Sequence, residues 1–223
     1  SGKAEEVYFS MNEKFECNLL IGLGKEENIE FDMLRKTFFK VAEVLLKNKV
    51  AEVELNIPKL NNLCNYKLAE AIAEGMLHAT YKFDKFKSEK KETPELIVNY
   101  NPIPGKEHRA EKGIDEAKKL IESIFLTRDL VNQPANVIYP ETLADITKER
   151  LEAKGVKVTV YGKKEIEEIG MEAFLTVARA SAKEPKLIVM EYYNNPESDE
   201  RIALVGKGLT YDSGGYAIKP ATG

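Results

Sequence analysis

The sequence predicts an α/β protein built in two layered parts. Three observations carry this expectation. Strand-like apolar runs alternate with helix-like stripes along nearly the whole chain, the pattern of helices packed on sheets. At 223 residues the chain exceeds the usual single domain of about 100–150 residues. Its 43% hydrophobic and 31% charged residues match an ordinary folded protein rather than a disordered one.

The first part opens with Val7 to Phe9 and Cys17 to Gly22, both read as short strands. Phe31, Leu34, Phe38, Val41 and Leu45 recur at spacings of three and four, which marks one face of a helix. Val53, Leu55 and Ile57 alternate within Val50 to Ile57 and then meet Pro58, a strand and its stop. Leu68, Ile72 and Met76, flanked by Ala69, Ala73 and Leu77, form a second helical stripe. Lys85 to Glu95 reads as a solvated loop, Leu96 to Tyr100 as a strand, and Asn101 to Gly105 as a break rich in Pro and Gly.

A helix is expected from about Arg109 to about Leu130, with Ile114, Ala117, Ile121 and Ile124 or Phe125 on its apolar face. Domains are therefore expected at 1–108 and 132–223, with 109–131 as a connecting helix. In the second part, Pro140 suits the first position of a helix and Glu141 favours the same end. Leu143, Ile146 and Leu151 carry its buried face, and Gly155 suits its C-terminal cap. Val156, Val158 and Val160 alternate as a strand, and Ile166 and Ile169 mark a short helix ending at Gly170. Leu187 to Tyr192 and Ile202 to Val205 read as buried strands.

A net charge of −4 and a pI near 5.5 argue against nucleic acid or a membrane surface as the main partner. No apolar run is long enough to cross a bilayer, and residues 1–6 hold no apolar signal core. Cys17 and Cys64 fit neither a disulfide framework nor a Cys-based zinc site, and both read as small buried side chains. A reducing, cytoplasmic location is the expectation. His78 lies on the second helical stripe as a packing or partly exposed residue, and His108 lies in a polar loop. No His-Glu-x-x-His or Gly-x-Ser-x-Gly pattern occurs.

The chemistry-bearing stretch runs from Leu204 through Gly206-Lys207-Gly208 and Asp212-Ser213-Gly214-Gly215 to Lys219-Pro220. A strand feeding a glycine-rich turn is where α/β sheets build their sites. Composition alone equally allows a plain turn with an exposed lysine. A phosphate-binding loop fails in detail, because Arg201 stands where its first glycine belongs and Gly208 follows the lysine. Gly22-Leu23-Gly24-Lys25 fails as a dinucleotide fingerprint, since Glu27 occupies the third glycine position.

Val205 to Gly215, continued by Lys219-Pro220, resembles the signature of the M17 leucyl aminopeptidases. Thr127 to Asn136 is similar to the segment that opens the catalytic domain of that family. Gly170 to Leu175, Pro185 to Val189 and Glu191-Tyr192 also fit, and Ala73-Glu74-Gly75 with Tyr81 to Asp84 resembles the weaker amino-terminal pattern. The resemblance implies a macro-like amino-terminal α/β domain followed by a truncated α/β peptidase domain with a mixed sheet.

It also implies two divalent metals, Mn or Zn, with Mg or Co compatible, held in part by Lys207 and Asp212. An amine binds metal only when deprotonated, a form that two nearby dications favour. Asp212 would bridge the pair. Lys219 would be catalytic, donating to the substrate carbonyl as negative charge develops there. The implied reaction removes N-terminal, leucine-like residues from peptides with a free amino end, in a homo-hexamer. Further ligands of the family lie beyond the Lys219 region, so the chain is expected to hold an incomplete catalytic domain and to be inactive alone. The alternative is a non-catalytic fragment or subunit with an assembly or nucleic-acid-binding role. Alanines stand at 178 and 180, where the family often has glycine.

Overall fold

The computed structural model describes residues 2–11, 13, 17–60, 63–90 and 95–211. The chain divides into two compact units, Ser1–Val131 and Asn132–Gly223, and each mixes helices with small two-stranded sheets.

In the first unit, strands β1 (Val7–Met11) and β2 (Cys17–Ile21) pair antiparallel, with Val7 opposite Ile21. Helix α1 (Phe31–Lys47) follows, then strand β3 (Glu52–Asn56), helix α2 (Asn65–His78) and strand β4 (Ile97–Asn101). β3 and β4 run parallel with Glu52 opposite Ile97, a pairing that needs a crossover helix, here α2. Leu34, Phe38, Val41 and Leu45 of α1 meet Leu68, Ile72 and Met76 of α2 in one apolar core. Leu19, Ile21, Val53 and Val98 press on that core from the strands. The three-and-four spacing and the alternation at Val53 and Leu55 thus place the residues that the sequence assigned inward.

Two glycines set how closely the helices approach. A Cβ at Gly75 of α2 would lie 2.3 Å from the Arg35 carbonyl oxygen and 2.9 Å from the Phe39 nitrogen, both backbone atoms of α1. Helix α3 (Glu107–Asn132) repeats the arrangement on the other side of α2. A Cβ at Gly113 would lie 2.3 Å from the Tyr66 carbonyl oxygen. Ala110, Gly113, Ala117 and Ile121 are the buried stripe of α3, so this helix packs within the first unit. Ile114, Ile124 and Phe125 are half-buried beside it. At its far end Tyr81 donates to Asp129 at 2.8 Å, and the Arg128 guanidinium lies 3.8 Å from the centre of the Tyr81 ring.

The second unit contains α4 (Pro140–Glu152), β5 (Lys157–Tyr161), α5 (Lys163–Ile169), α6 (Glu172–Ala178) and β6 (Leu187–Glu191). β5 and β6 pair antiparallel with Lys157 opposite Glu191. Pro140 sits at the start of α4, and Gly170 caps α5 in the left-handed conformation at φ 83°. Gly155 also takes a left-handed turn, at φ 79°. Helix α6 is an element that apolar spacing does not announce, because Leu175 is its one buried residue. Among the described residues, no helix is long and apolar enough to cross a membrane.

Several expectations are corrected. Ile202 to Val205 forms no strand, and Ile202, Leu204 and Val205 are 92%, 93% and 99% exposed. An apolar run becomes a buried strand only where a neighbouring element covers it, and no described element does so here. β6 is half-buried rather than buried, since β5 is its one described partner. Leu143, Ile146 and Leu151 of α4 are half-buried, and Ala144 is the residue fully covered. Both cysteines are exposed: Cys64 precedes α2 as its N-cap, and Cys17 begins an edge strand. His108 lies in the first turn of α3 rather than in a loop. His78 is half-buried, edge-on to the Phe39 ring at 5.8 Å. Burial, with Arg128 and Arg35 nearby, holds its pKa below the usual value.

Gly75→Ala tests the helix contact. Alanine gains about 1 kcal/mol of helix propensity, but the backbone atoms it would strike cannot rotate away. A net loss of about 1–2 kcal/mol is expected from overpacking, read as a lower urea midpoint. Gly206→Ala, which has nothing within 4 Å, is the control, and an unchanged midpoint for Gly75→Ala would refute the close contact.

Glu74 supplies a second test. It is 3% exposed, with a carboxylate oxygen 3.7 Å from the Arg35 guanidinium. Burial raises its carboxyl pKa above the usual value, against the pull of Arg35. The folded state therefore holds this proton to higher pH than the unfolded state does. Its stabilising contribution is present at low pH and is lost as pH rises through the raised pKa. Stability of the parent chain relative to Glu74→Gln should fall as pH rises above the usual glutamate pKa of about 4.3. Parallel urea titrations would show the opposite slope if Arg35 dominated.

Candidate active site

Lys207, the candidate residue among those described, lies on the chain that follows β6. The start of β6 is tied by polar contacts. Glu184 accepts from the Lys163 amide at 2.9 Å and pairs with Lys186 at 2.5 Å. Both hold its carboxyl below the usual range, Lys186 more than the Lys163 amide. The Glu184 amide donates to Glu141 at 3.2 Å, and Glu165 accepts from the Gly162 amide at 2.6 Å. The Tyr139 amide donates to Thr142 Oγ1 at 3.0 Å, fixing the start of α4. These contacts join α4, α5 and the lead into β6.

Beyond β6 the chain carries no regular structure from 201 to 211, and Lys207 lies on it exposed. A Cβ at Gly206 would meet nothing within 4 Å, and one at Gly208 would lie 3.9 Å from Leu143 Cδ2 of α4. The turn thus passes beside α4 with little steric restraint. Lys207 is one of the three site residues that the sequence proposes. Asp212 and Lys219 lie outside the described residues, as do Gly214, Gly215 and Pro220. Among the described residues no second proposed ligand accompanies Lys207.

Among the described residues, no group of three His, Cys, Asp or Glu side chains could hold a metal ion. An amine nitrogen and a carboxylate oxygen, the donors of Lys207 and Asp212, suit Zn or Mn by chemistry. Two donors fill only part of a coordination shell, which takes four ligands for Zn and about six for Mn. The donor set fits such metals in kind and is short of them in number. The polar contacts of Glu141, Glu165 and Glu184 were not legible in the sequence, because their partners are backbone amides brought close only by folding.

Comparison with known proteins matches both parts. Residues 1–90 match the model of the cytosol aminopeptidase family, N-terminal domain. Residues 125–223 match that of the cytosol aminopeptidase family, catalytic domain. A probable cytosol aminopeptidase of Treponema denticola is 78% identical over 222 residues, covering 100% of this chain and 47% of the relative. One of Clostridium tetani is 44% identical, covering 99% of this chain and 46% of the relative. The chain thus spans about half the length of the curated relatives it matches. Among solved structures, a tomato leucine aminopeptidase mutant superposes with a TM-score of 0.84 at 26% identity, over 97% of this chain and 44% of that one. The bottromycin maturation enzyme BotP in complex with Mn gives a TM-score of 0.72 at 22% identity, over 86% of this chain and 40% of that one, a likeness of fold alone. With one family's models on both of its parts and a relative at 78% identity over its full length, the chain belongs to the cytosol aminopeptidase family, M17.

Proposed function

We propose that this chain is part of a metal-dependent aminopeptidase of the leucyl type, which removes N-terminal residues from peptides with a free amino end. The observation that carries the reading is the ordered set Lys207, Asp212 and Lys219 in a glycine-rich stretch within the match to the catalytic domain. Lys207 and Asp212 would hold divalent metals, two in number, Mn or Zn, with Mg or Co compatible. When bound, such ions polarise a carbonyl and acidify water. The name of the Mn complex of BotP supports the choice of a divalent metal.

Lys207 stands between two glycines, so its amine is presented without flanking side chains. Lys219 would donate from its ammonium to the substrate carbonyl oxygen, where negative charge develops. The protein would act in the cytoplasm as a homo-hexamer. The 223 residues alone would be inactive, a reading supported by the exposed Lys207, which has no other proposed ligand among the described residues. A second reading, a non-catalytic assembly subunit, is favoured by the exposed Ile202, Leu204 and Val205. The net charge of −4 disfavours nucleic acid.

The longer protein, loaded with Mn, should hydrolyse leucine p-nitroanilide, whereas the 223-residue chain should not. Asp212→Ala in the longer protein should abolish turnover and lower the metal retained after gel filtration. Full activity in that variant would reject the assignment. Lys219→Ala should lower kcat by about 100- to 1,000-fold with metal content unchanged, and loss of metal would show its role to be wrong. Lys207→Ala in the 223-residue chain should change stability by less than about 0.5 kcal/mol, as exposed positions do.

A further inference from the structure

Lys207 stands between Gly206 and Gly208, the residue type that leaves a backbone most free. A lysine so flanked is aimed only if something outside the turn holds it. Among the described residues, one side chain comes within 4 Å of a Cβ built at either glycine. It is Leu143 of α4, whose Cδ2 lies 3.9 Å from that position at Gly208. This is an ordinary apolar contact distance, so a methyl at Gly208 would rest on Leu143. The chain that leads to the turn is tied at its start, where the Arg201 guanidinium lies 4.4 Å from the centre of the Tyr193 ring.

Leu143 can hold the turn because its own place is fixed. Its amide donates to the Tyr139 carbonyl at 3.0 Å, and the Tyr139 amide donates to Thr142 Oγ1 at 3.0 Å. Thr147 Oγ1 donates to the Leu143 carbonyl at 2.7 Å, and the next residue, Ala144, is buried. Glu141, two residues earlier, accepts from the Glu184 amide in the lead into β6. The start of α4 therefore touches the chain both before β6 and after it. Leu143 is half-buried, which leaves apolar surface for the turn to cover.

We propose that Leu143 is a positioning residue for Lys207: the start of α4 is the seat on which Gly208 rests, and that contact sets where the Lys207 amine points. The proposal rests on the reading of Lys207 as a metal ligand. Leu143 has no donor to offer a metal or a substrate. It acts through Gly208, whose Cα is one peptide unit, about 3.8 Å, from that of Lys207. A residue that orients a ligand without binding anything itself still governs metal affinity by about 10- to 100-fold.

The test uses the longer protein. Leu143→Val removes the δ carbons that reach the turn, Leu143→Met restores the reach, and Leu151→Val makes the same truncation at the other end of α4. Mn affinity is read by titrating the loaded protein against a chelator, and amide exchange over 205–210 is followed by mass spectrometry in metal-free protein. Leu143→Val should lower Mn affinity and kcat about tenfold with KM nearly unchanged, and should speed the exchange. Leu143→Met should recover most of each loss. Leu151→Val should lower the urea midpoint about as far, with Mn affinity and exchange as in the parent. Unchanged affinity and exchange in Leu143→Val would overturn the proposal. So would an equal loss in Leu151→Val, which would make the effect one of helix stability. A parent protein that retains no metal and hydrolyses no peptide would instead reject the aminopeptidase reading, and the exchange measurement would still decide whether Leu143 holds the turn.

Discussion

Contact between helix backbones governs the first unit. Gly75 brings α2 against α1, and Gly113 brings α3 against α2, each leaving no room for a Cβ. With these spacings set, Leu34, Phe38 and Val41 reach Leu68 and Ile72. Core packing is dense enough that a single added methyl must displace something. The same approach places Glu74, the residue before Gly75, opposite Arg35 on α1. A buried carboxyl group, even with Arg35 and Lys67 acting on it, is weak support for stability. It follows from the helix spacing and does not cause it.

The second unit lacks such a constraint. Ile138, Ala144, Val158, Ile166 and Leu175 are its buried apolar residues among those described. Instead, short polar links hold its elements together. Glu184 connects the start of α5 to the lead into β6, and Glu141 accepts from it in turn. These links are exposed, so each contributes little singly. What the unit offers in place of a deep core is a set of apolar surfaces without cover, chiefly Ile202, Leu204 and Val205.

That contrast explains what was legible in the sequence. Helix faces with buried partners within the chain, such as Phe31 to Leu45, read true because spacing and burial coincide. β5 was legible from Val156, Val158 and Val160 for the same reason, since Val158 is buried. Ile202 to Val205 misled because apolar content speaks to what a segment prefers to touch, and not to whether the partner is present. The cysteines misled similarly: a residue type that is buried on average says nothing about a helix N-cap or an edge strand. Gly75 looked like one residue of a helical stripe, and only the neighbouring backbone shows why a side chain is excluded. Of the candidate site, Lys207 alone lies among the described residues, and the role proposed for it comes from the family resemblance rather than from any contact.

One rule bears on both the exposed run and the edge of β3. Soluble proteins blunt free strand edges with charges, prolines or cover, because an open edge recruits other chains. β3 carries Glu52 and Glu54 on its outer face and is followed by Pro58, yet Val53 and Leu55 still lie against the core beside an open edge. Ile202 to Val205 carries no charge at all. Ile202 to Val205 is a continuous apolar run outside any described element, whereas β3 alternates and packs Val53 and Leu55 against the core of the first unit. Gly206-Lys207-Gly208 follows directly on that apolar run. For Lys207 to act as the proposed metal ligand, that run has to be anchored first, since a ligand on an unanchored segment cannot be held to the fraction of an ångström that a metal site requires.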